Sequence, residues 1–323
     1  MPQSLPDASI SFPMLGGLTI NPSPYFRLGP LTIHWYGVII ATGFLLAVLY
    51  CSRRAPEFGM TADNVFDVIL LGVPLAVICA RIYYVAFSWS EYASDPISVL
   101  YIWRGGLGMY GVIFGAVLAT VIFCRWKKLS LLAFLDMVCL GFLIGQTLGR
   151  WGNFMNREAF GRATDIFCRM VLTTPSGTVW SVHPTFLYES VWNLIGFTLM
   201  HFYSKKHRTY DGQMFLIYLS WYGFGRMLIE GLRTDSLMIG STGIRVSQLV
   251  SAVLFVASAA ILLYNKYKRR PDPAEMFVNR RKAAQAVIEG PADAPRDDGP
   301  DPGPDSGADA PRDDGADGGG EHD

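Results

Sequence analysis

LGRWGNFMNREAFG, residues 148–161, closes a long apolar run with Arg150, Asn153, Asn156, Arg157 and Glu158. A charge at mid-bilayer costs roughly 2.5 to 3.5 kcal/mol, less toward the interface, unless a partner or ligand satisfies it. The run therefore reads as a membrane helix, and the polar cluster at its end as a site. Outward from this stretch the whole chain has the same character. Of its 323 residues 51% are hydrophobic and 17% charged, with a mean hydropathy of +0.27, which is more apolar than a soluble domain of this size.

About 20 mostly apolar residues cross roughly 30 Å of hydrocarbon. Seven stretches qualify: 33–52, 66–88, 106–124, 130–150, 185–204, 212–231 and 245–265. Basic clusters set their direction. Arg53 and Arg54 follow the first, Arg125, Lys127 and Lys128 the third, Lys205, Lys206 and Arg208 the fifth, and Lys266, Lys268, Arg269 and Arg270 the seventh. The positive-inside rule puts all four clusters in the cytoplasm. The expected fold is thus an all-α integral membrane protein of seven transmembrane helices, with its N-terminus outside and its C-terminus cytoplasmic. Residues 1–32 become an extracytoplasmic N-terminal segment, 33–270 the seven-helix transmembrane domain, and 151–184 a small extracytoplasmic cap between spans four and five.

The formal net charge of zero hides an imbalance, because residues 291–323 carry eleven acidic residues against Arg296 and Arg312. That tail repeats the octapeptide ADAPRDDG at Ala292–Gly299 and Ala308–Gly315. Too little apolar surface is present to offset chain entropy, so residues 271–323 are expected to be a disordered acidic cytoplasmic tail. No basic stretch leads directly into an apolar one at the N-terminus, where Pro2, Pro6, Asp7 and Pro13 intervene, so no cleavable signal peptide is expected. The five cysteines form no C-x-x-C pair and suggest neither a disulfide framework nor a metal site.

Arg150 and Asn153 lie three apart and share a helix face. Arg226 and Glu230 lie four apart near the outer end of the sixth span, with Arg233 one turn on. Two helices thus bring guanidinium groups to one side of the membrane, where the arginine fork suits a phosphate and Glu230 can hold Arg226 in place. Single arginines at helix ends also snorkel to lipid headgroups, but Asn153, Asn156 and Glu158 beside them favour an anion pocket. Tyr36, taken alone, fits an interfacial aromatic belt better than a site. Tyr110 lies deeper, among Gly105, Gly106, Gly108, Gly111 and Gly115, which suit either an opened helix or close helix packing. His183 and Glu189, in HPTFLYE, either join the pocket or cap and orient the fifth span; Pro184 suits its first turn.

With these residues in view, the chain resembles the prolipoprotein diacylglyceryl transferases. The resemblance runs from about Ile33 to Tyr267. It rests on H-W-Y-G at His34–Gly37, G-G-x-x-x-Y-G at Gly105–Gly111, G-R-x-G-N-F-x-N-x-E-x-x-G at Gly149–Gly161, H-P-x-x-x-Y-E at His183–Glu189 and G-x-x-R-x-x-x-E-x-x-R at Gly223–Arg233. It implies transfer of diacylglyceryl from phosphatidylglycerol to the lipobox cysteine thiol of a prolipoprotein signal peptide, at the outer leaflet of the bacterial plasma membrane. A thioether forms and glycerol phosphate leaves. The resemblance implies a catalytic set of Arg150, Arg226, Tyr110 and Glu230. Phosphatidylglycerol binding falls to Arg150, Asn153, Tyr36, Asn156, Glu158, Gly161 and Arg233, with His183 and Glu189 in support. Tyr110 stands where many members have histidine, and Val112 where they have a second glycine, so the thiol's proton acceptor stays open. No cofactor, metal or nucleic-acid partner is expected. Another phospholipid headgroup transferase, or a secondary transporter with charged residues in its path, are the other functions considered.

Overall fold

The computed structural model describes residues 4–234 and 245–289. Residues up to Ala284 form one compact unit, and Gln285 onward belongs to a second. The described residues include seven long helices: α1 (Trp35–Arg54), α2 (Ala62–Phe87), α4 (Met109–Trp126), α5 (Leu131–Asn156), α6 (Thr185–Lys206), α7 (Gln213–Glu230) and α8 (Val246–Tyr264). A single turn, α3 (Trp89–Tyr92), follows α2, and α9 (Phe277–Glu289) comes last. The protein is mostly helical, and five of its helices, α1, α2, α4, α5 and α8, are long and apolar enough to cross a membrane. Helices α6 and α7 are also long, but they carry Glu189, Asn193, Gln213, Arg226 and Glu230, several of them buried against neighbouring helices.

Helix ends follow local chemistry. Thr61 and Asn64 form a reciprocal capping box, the Asn64 N–H donating to Thr61 Oγ1 at 3.3 Å and the Thr61 N–H to Asn64 Oδ1 at 3.0 Å, so α2 starts four residues before the expected 66. Helix α5 continues six residues past 150, until Arg157 turns left-handed at φ 50°. Asn153 and Asn156 are therefore on the helix, and the cap is correspondingly shorter than 151–184. Asp136, fully buried in α5, accepts from the Gly212 N–H at 2.8 Å and the Phe215 N–H at 2.9 Å. It caps α7 from a neighbouring helix.

Helix α5 is the hub and packs against α1, α6 and α7, while α2 pairs with α4 and α7 with α8. Gly111 and Gly115 press on the backbone of Ala80 and Ala76 in α2, where an added Cβ would lie 2.5 Å and 2.7 Å from the Cα atoms. Of the two roles open to these glycines, helix packing is the one seen.

Six short strands accompany the helices. In the four-stranded sheet, of order β2-β1-β5-β6, every neighbouring pair is antiparallel: β1 (Ser9–Phe12), β2 (Leu18–Ile20), β5 (Met170–Thr173) and β6 (Val179–Val182). A hairpin, β3 (Tyr25–Leu28) with β4 (Leu31–His34), leads into α1. Ile10 and Phe12, alternating with Ser9 and Ser11, face Met170, Leu172 and Val182 and cover Phe154 and Phe186. The N-terminal segment and the cap thus share one small core. Arg157 fastens them, its guanidinium donating to the carbonyls of Ala8, Met155 and Pro22 and to Asn21 Oδ1.

The expectation of disorder from 271 onward also needs correction. Asp272 caps a 3-10 turn at Pro273–Glu275 through the Ala274 N–H. The Phe277 N–H donates to Asp211 Oδ2 at 2.9 Å, and Val278 is buried. Composition averaged over an acidic tail conceals two apolar anchors followed by helix formers. The octapeptide repeats lie outside the described residues. All five cysteines are free.

Replacing Asp136 with Ala leaves two buried N–H groups without acceptors, and should lower stability by about 1 to 3 kcal/mol. Thermal unfolding of the detergent-solubilised protein, compared with wild type, checks this.

Candidate active site

The charged residues of three helices meet where α5 and α7 end and α6 begins. Arg150 projects from the last two turns of α5, Glu189 from the second turn of α6, and Arg226 and Glu230 from the end of α7, with Arg233 just beyond. Glu189 is the common partner. Its carboxylate takes Arg150 Nη2 at 2.6 Å, Arg226 Nη1 at 3.1 Å and Arg233 Nη1 at 3.1 Å. Glu230 adds a second anchor, with Oε2 2.8 Å from Arg226 Nη2 and 3.9 Å from Arg233 Nε. The Ser247 hydroxyl at the start of α8 donates to Glu230 Oε1 at 2.5 Å.

Both carboxylates are almost fully buried, while the Arg226 and Arg150 side chains keep 18% and 23% of their exposure. Each guanidinium has five N–H donors, so these two can hold Glu189 and still present donors to an incoming anion. Buried ion pairs of this kind fix geometry more than they add stability. A line of hydrogen bonds extends the site. Arg150 Nη1 donates to Asn153 Oδ1 at 3.3 Å, Asn153 Nδ2 to Glu158 Oε1 at 3.0 Å, and Asn156 Nδ2 to the same oxygen at 3.3 Å.

Other expected residues are arranged around this centre. Gly161 lies against His183, with its N–H donating to the His183 carbonyl at 2.9 Å and a backbone bridge to Arg233. A Cβ there would fall 2.6 Å from His183 Cβ, so the glycine lets the cap reach the segment carrying Arg233. The His183 ring pairs through Nδ1 with the Tyr188 hydroxyl at 3.4 Å, and Tyr188 continues to Cys168 Sγ at 3.5 Å. Burial pushes the His183 ring below the usual imidazole range, which favours its neutral form. Tyr36, in the first turn of α1, lays its ring over Gly152, beside Asn153 in α5. Tyr110 is apart from the cluster, exposed in the first turn of α4 with its ring 5.9 Å from that of Tyr83.

Residues 24–264 match the family described as prolipoprotein diacylglyceryl transferase. The chain belongs to this family. Relatives named phosphatidylglycerol–prolipoprotein diacylglyceryl transferase include those of Limosilactobacillus reuteri, 45% identical over 76% of this chain and 92% of the relative, and Streptococcus equi subsp. zooepidemicus, 44% identical over 78% and 97%. The relative from Enterococcus faecalis is 43% identical over 81% of this chain and 95% of its own.

In this member of the transferase family Glu189, expected to support the site, is the common ion-pair partner of the three arginines. Nothing in its spacing gives that away, because its three partners come from other segments. Several positioning residues were missed altogether. Trp151 Nε1 donates to Ser190 Oγ at 3.1 Å, which donates to the Thr147 carbonyl at 2.9 Å, tying the helix turns that carry Arg150 and Glu189. Trp192 and Trp221 stack at 4.2 Å and each donates from Nε1 to the other's carbonyl at 3.1 Å, locking α6 to α7. Arg81 gathers the carbonyls of Ser98, Val99, Gly105 and Gly106 at 2.7 to 2.9 Å, and so shapes the turn before Tyr110. The one available signal was a lone arginine inside an apolar helix.

Glu189→Ala removes the shared counter-charge of three arginines, and should lower stability by about 3 to 5 kcal/mol. Glu189→Gln, which keeps shape and one acceptor, should lose less. Thermal unfolding of the two variants side by side gives the order.

Proposed function

We propose that this chain transfers the diacylglyceryl group of phosphatidylglycerol to the thiol of a prolipoprotein's lipobox cysteine, at the centre formed by Arg150, Glu189, Arg226 and Arg233. The observation that carries the reading is the single buried carboxylate shared by guanidinium groups of α5, α7 and the segment after α7. The printed activity of the relatives supports it. In this reading all seven long helices span the bacterial plasma membrane. The basic ends of α1, α4, α6 and α8 are cytoplasmic, which puts the sheet-bearing cap and the arginine centre at the outer leaflet.

In the proposed reaction the cysteine sulfur attacks the glycerol carbon that bears the phosphate ester. A carbon–sulfur bond forms, the carbon–oxygen bond breaks, and glycerol phosphate leaves with the bonding electrons while the thiol gives up its proton. Negative charge grows on the departing oxygen. Arg150 and Arg226, already oriented by Glu189 and Glu230, stabilise it without reorganising, which is where preorganised donors act most strongly. The same positive field raises the thiolate fraction of a cysteine whose ordinary pKa is about 8.5. Asn153, Asn156 and Glu158 orient Arg150, Gly161 seats Arg233, and Tyr36 covers the α5 turn between Trp151 and Asn153. Tyr110 contributes its hydroxyl to phosphate or thiol from the α4 side, after the lipid or peptide brings it close.

Purified protein given labelled phosphatidylglycerol and a lipobox peptide should yield the thioether; headgroup transfer, or no product, overturns the reading. Arg150→Lys and Arg226→Lys keep the charge but lose the fork, and each should slow the transfer roughly tenfold to a hundredfold. Tyr110→Phe should slow it and Tyr110→His retain it, and a fully active Phe variant removes the hydroxyl from the chemistry. Deleting residues 290–323 should leave the rate unchanged, whereas a cut at 271 also removes Phe277 and Val278 and should destabilise the protein.

A further inference from the structure

A groove with no part in this chemistry lies between α1, α5 and α6, toward the ends of α1 and α6 remote from the arginine centre. Its volume is about 550 Å³. Leu46 and Leu49, Ile144 and Leu148, and Leu194 and Phe197 form its apolar walls, and Arg53, Arg54 and His201 close one end. Leu46, Leu49 and Arg53 make one stripe of α1, and Leu194, Phe197 and His201 the facing stripe of α6. From Leu46 to Arg53 the groove runs about 10 Å along the helix axis, within one leaflet of a hydrocarbon core about 30 Å thick.

The basic end is a built arrangement. Arg54, 5% exposed, donates from Nη1 to the Tyr50 hydroxyl at 2.7 Å and from Nη2 to Ser204 Oγ at 3.0 Å, and pairs with Glu57 at 2.7 Å. Tyr50 in turn meets His201 Nδ1 at 2.8 Å. The Arg54 Nε, although buried, has no acceptor, and the adjacent Arg53 is exposed. Two guanidinium groups thus stand at the basic end of an apolar slot against one carboxylate, the exposed Arg53 without an ion pair among the described residues.

We infer that this groove is a second lipid site, which takes an anionic phospholipid of the leaflet opposite the arginine centre. Its phosphate lies at Arg53 and Arg54, and one acyl chain lies between α1 and α6. A zwitterionic lipid would bring its own cation against both arginines, whereas an anionic one adds only attraction. The inference rests on the transmembrane reading above, whose orientation makes this the cytoplasmic leaflet, and the bound lipid takes no part in the transfer.

Trace phosphatidylglycerol or phosphatidylcholine, each with a diazirine near the end of one acyl chain, can be photolysed with the full-length protein in phosphatidylcholine nanodiscs without peptide. Mass spectrometry should find peptides covering 46–53 and 194–201 labelled on the order of tenfold more by the phosphatidylglycerol probe. Arg53→Gln should remove most of that preference while diacylglyceryl transfer continues at the wild-type rate, and Leu49→Trp should reduce labelling by both probes. Arg150→Lys should slow transfer yet leave the groove labelled as before, so failure at the catalytic centre and failure of this site are read separately. Equal labelling by the two probes, or a preference that survives Arg53→Gln, overturns the inference.

Discussion

Positive charge held away from water needs a counter-charge close by, and in this transferase-family member one carboxylate supplies it for three guanidinium groups. Glu189 lies on α6, while its partners come from α5, from α7 and from the turn after α7. Were any of these segments to shift by the length of a hydrogen bond, a charge would be left unpaired in a medium where that is expensive. The ion-pair hub therefore dictates how closely α5, α6 and α7 must converge. Asp136 does the corresponding work at the other end of α5, by capping α7.

Neutral contacts carry the precision that charge demands. The stacked Trp192 and Trp221, exchanging bonds with each other's backbone, hold α6 beside α7, and Trp151 with Ser190 holds α5 beside α6. Arg157 has a different task from that of its motif neighbours. By collecting carbonyls from Ala8 and Pro22 it binds the N-terminal strands onto the cap, so the sheet closes over the end of α5 that bears Arg150. The motif around residues 148–161 is consequently half charged cluster and half scaffold.

Much of this was legible from residue order. Apolar runs located all seven long helices, and the five motifs named the family, because hydrophobic length and motif spacing are local properties of a chain. Arg150, Asn153, Glu158, Arg226 and Glu230 stood out for a simple reason: polar groups at the ends of apolar runs demand partners. Tyr110 stood out by family resemblance, and it lies apart from the cluster, since α4 leans on α2 through Gly111 and Gly115. The strands escaped notice because each is only three or four residues long, and the pairing of β1 with β5, which joins the N-terminal segment to the cap, links residues more than a hundred apart.

Hydropathy, basic clusters and motif order by themselves determined the helical membrane character of the protein, its family, and which arginines required an explanation. Tertiary structure alone decided that Glu189 joins those arginines, that Arg157 and Gly161 serve the cap, and that residues 271–284 are packed through Phe277 and Val278. The physical reason is that an apolar run or a helix face is encoded by neighbours within a few turns, whereas a shared counter-ion or a strand partner depends on distances in space that no local spacing records.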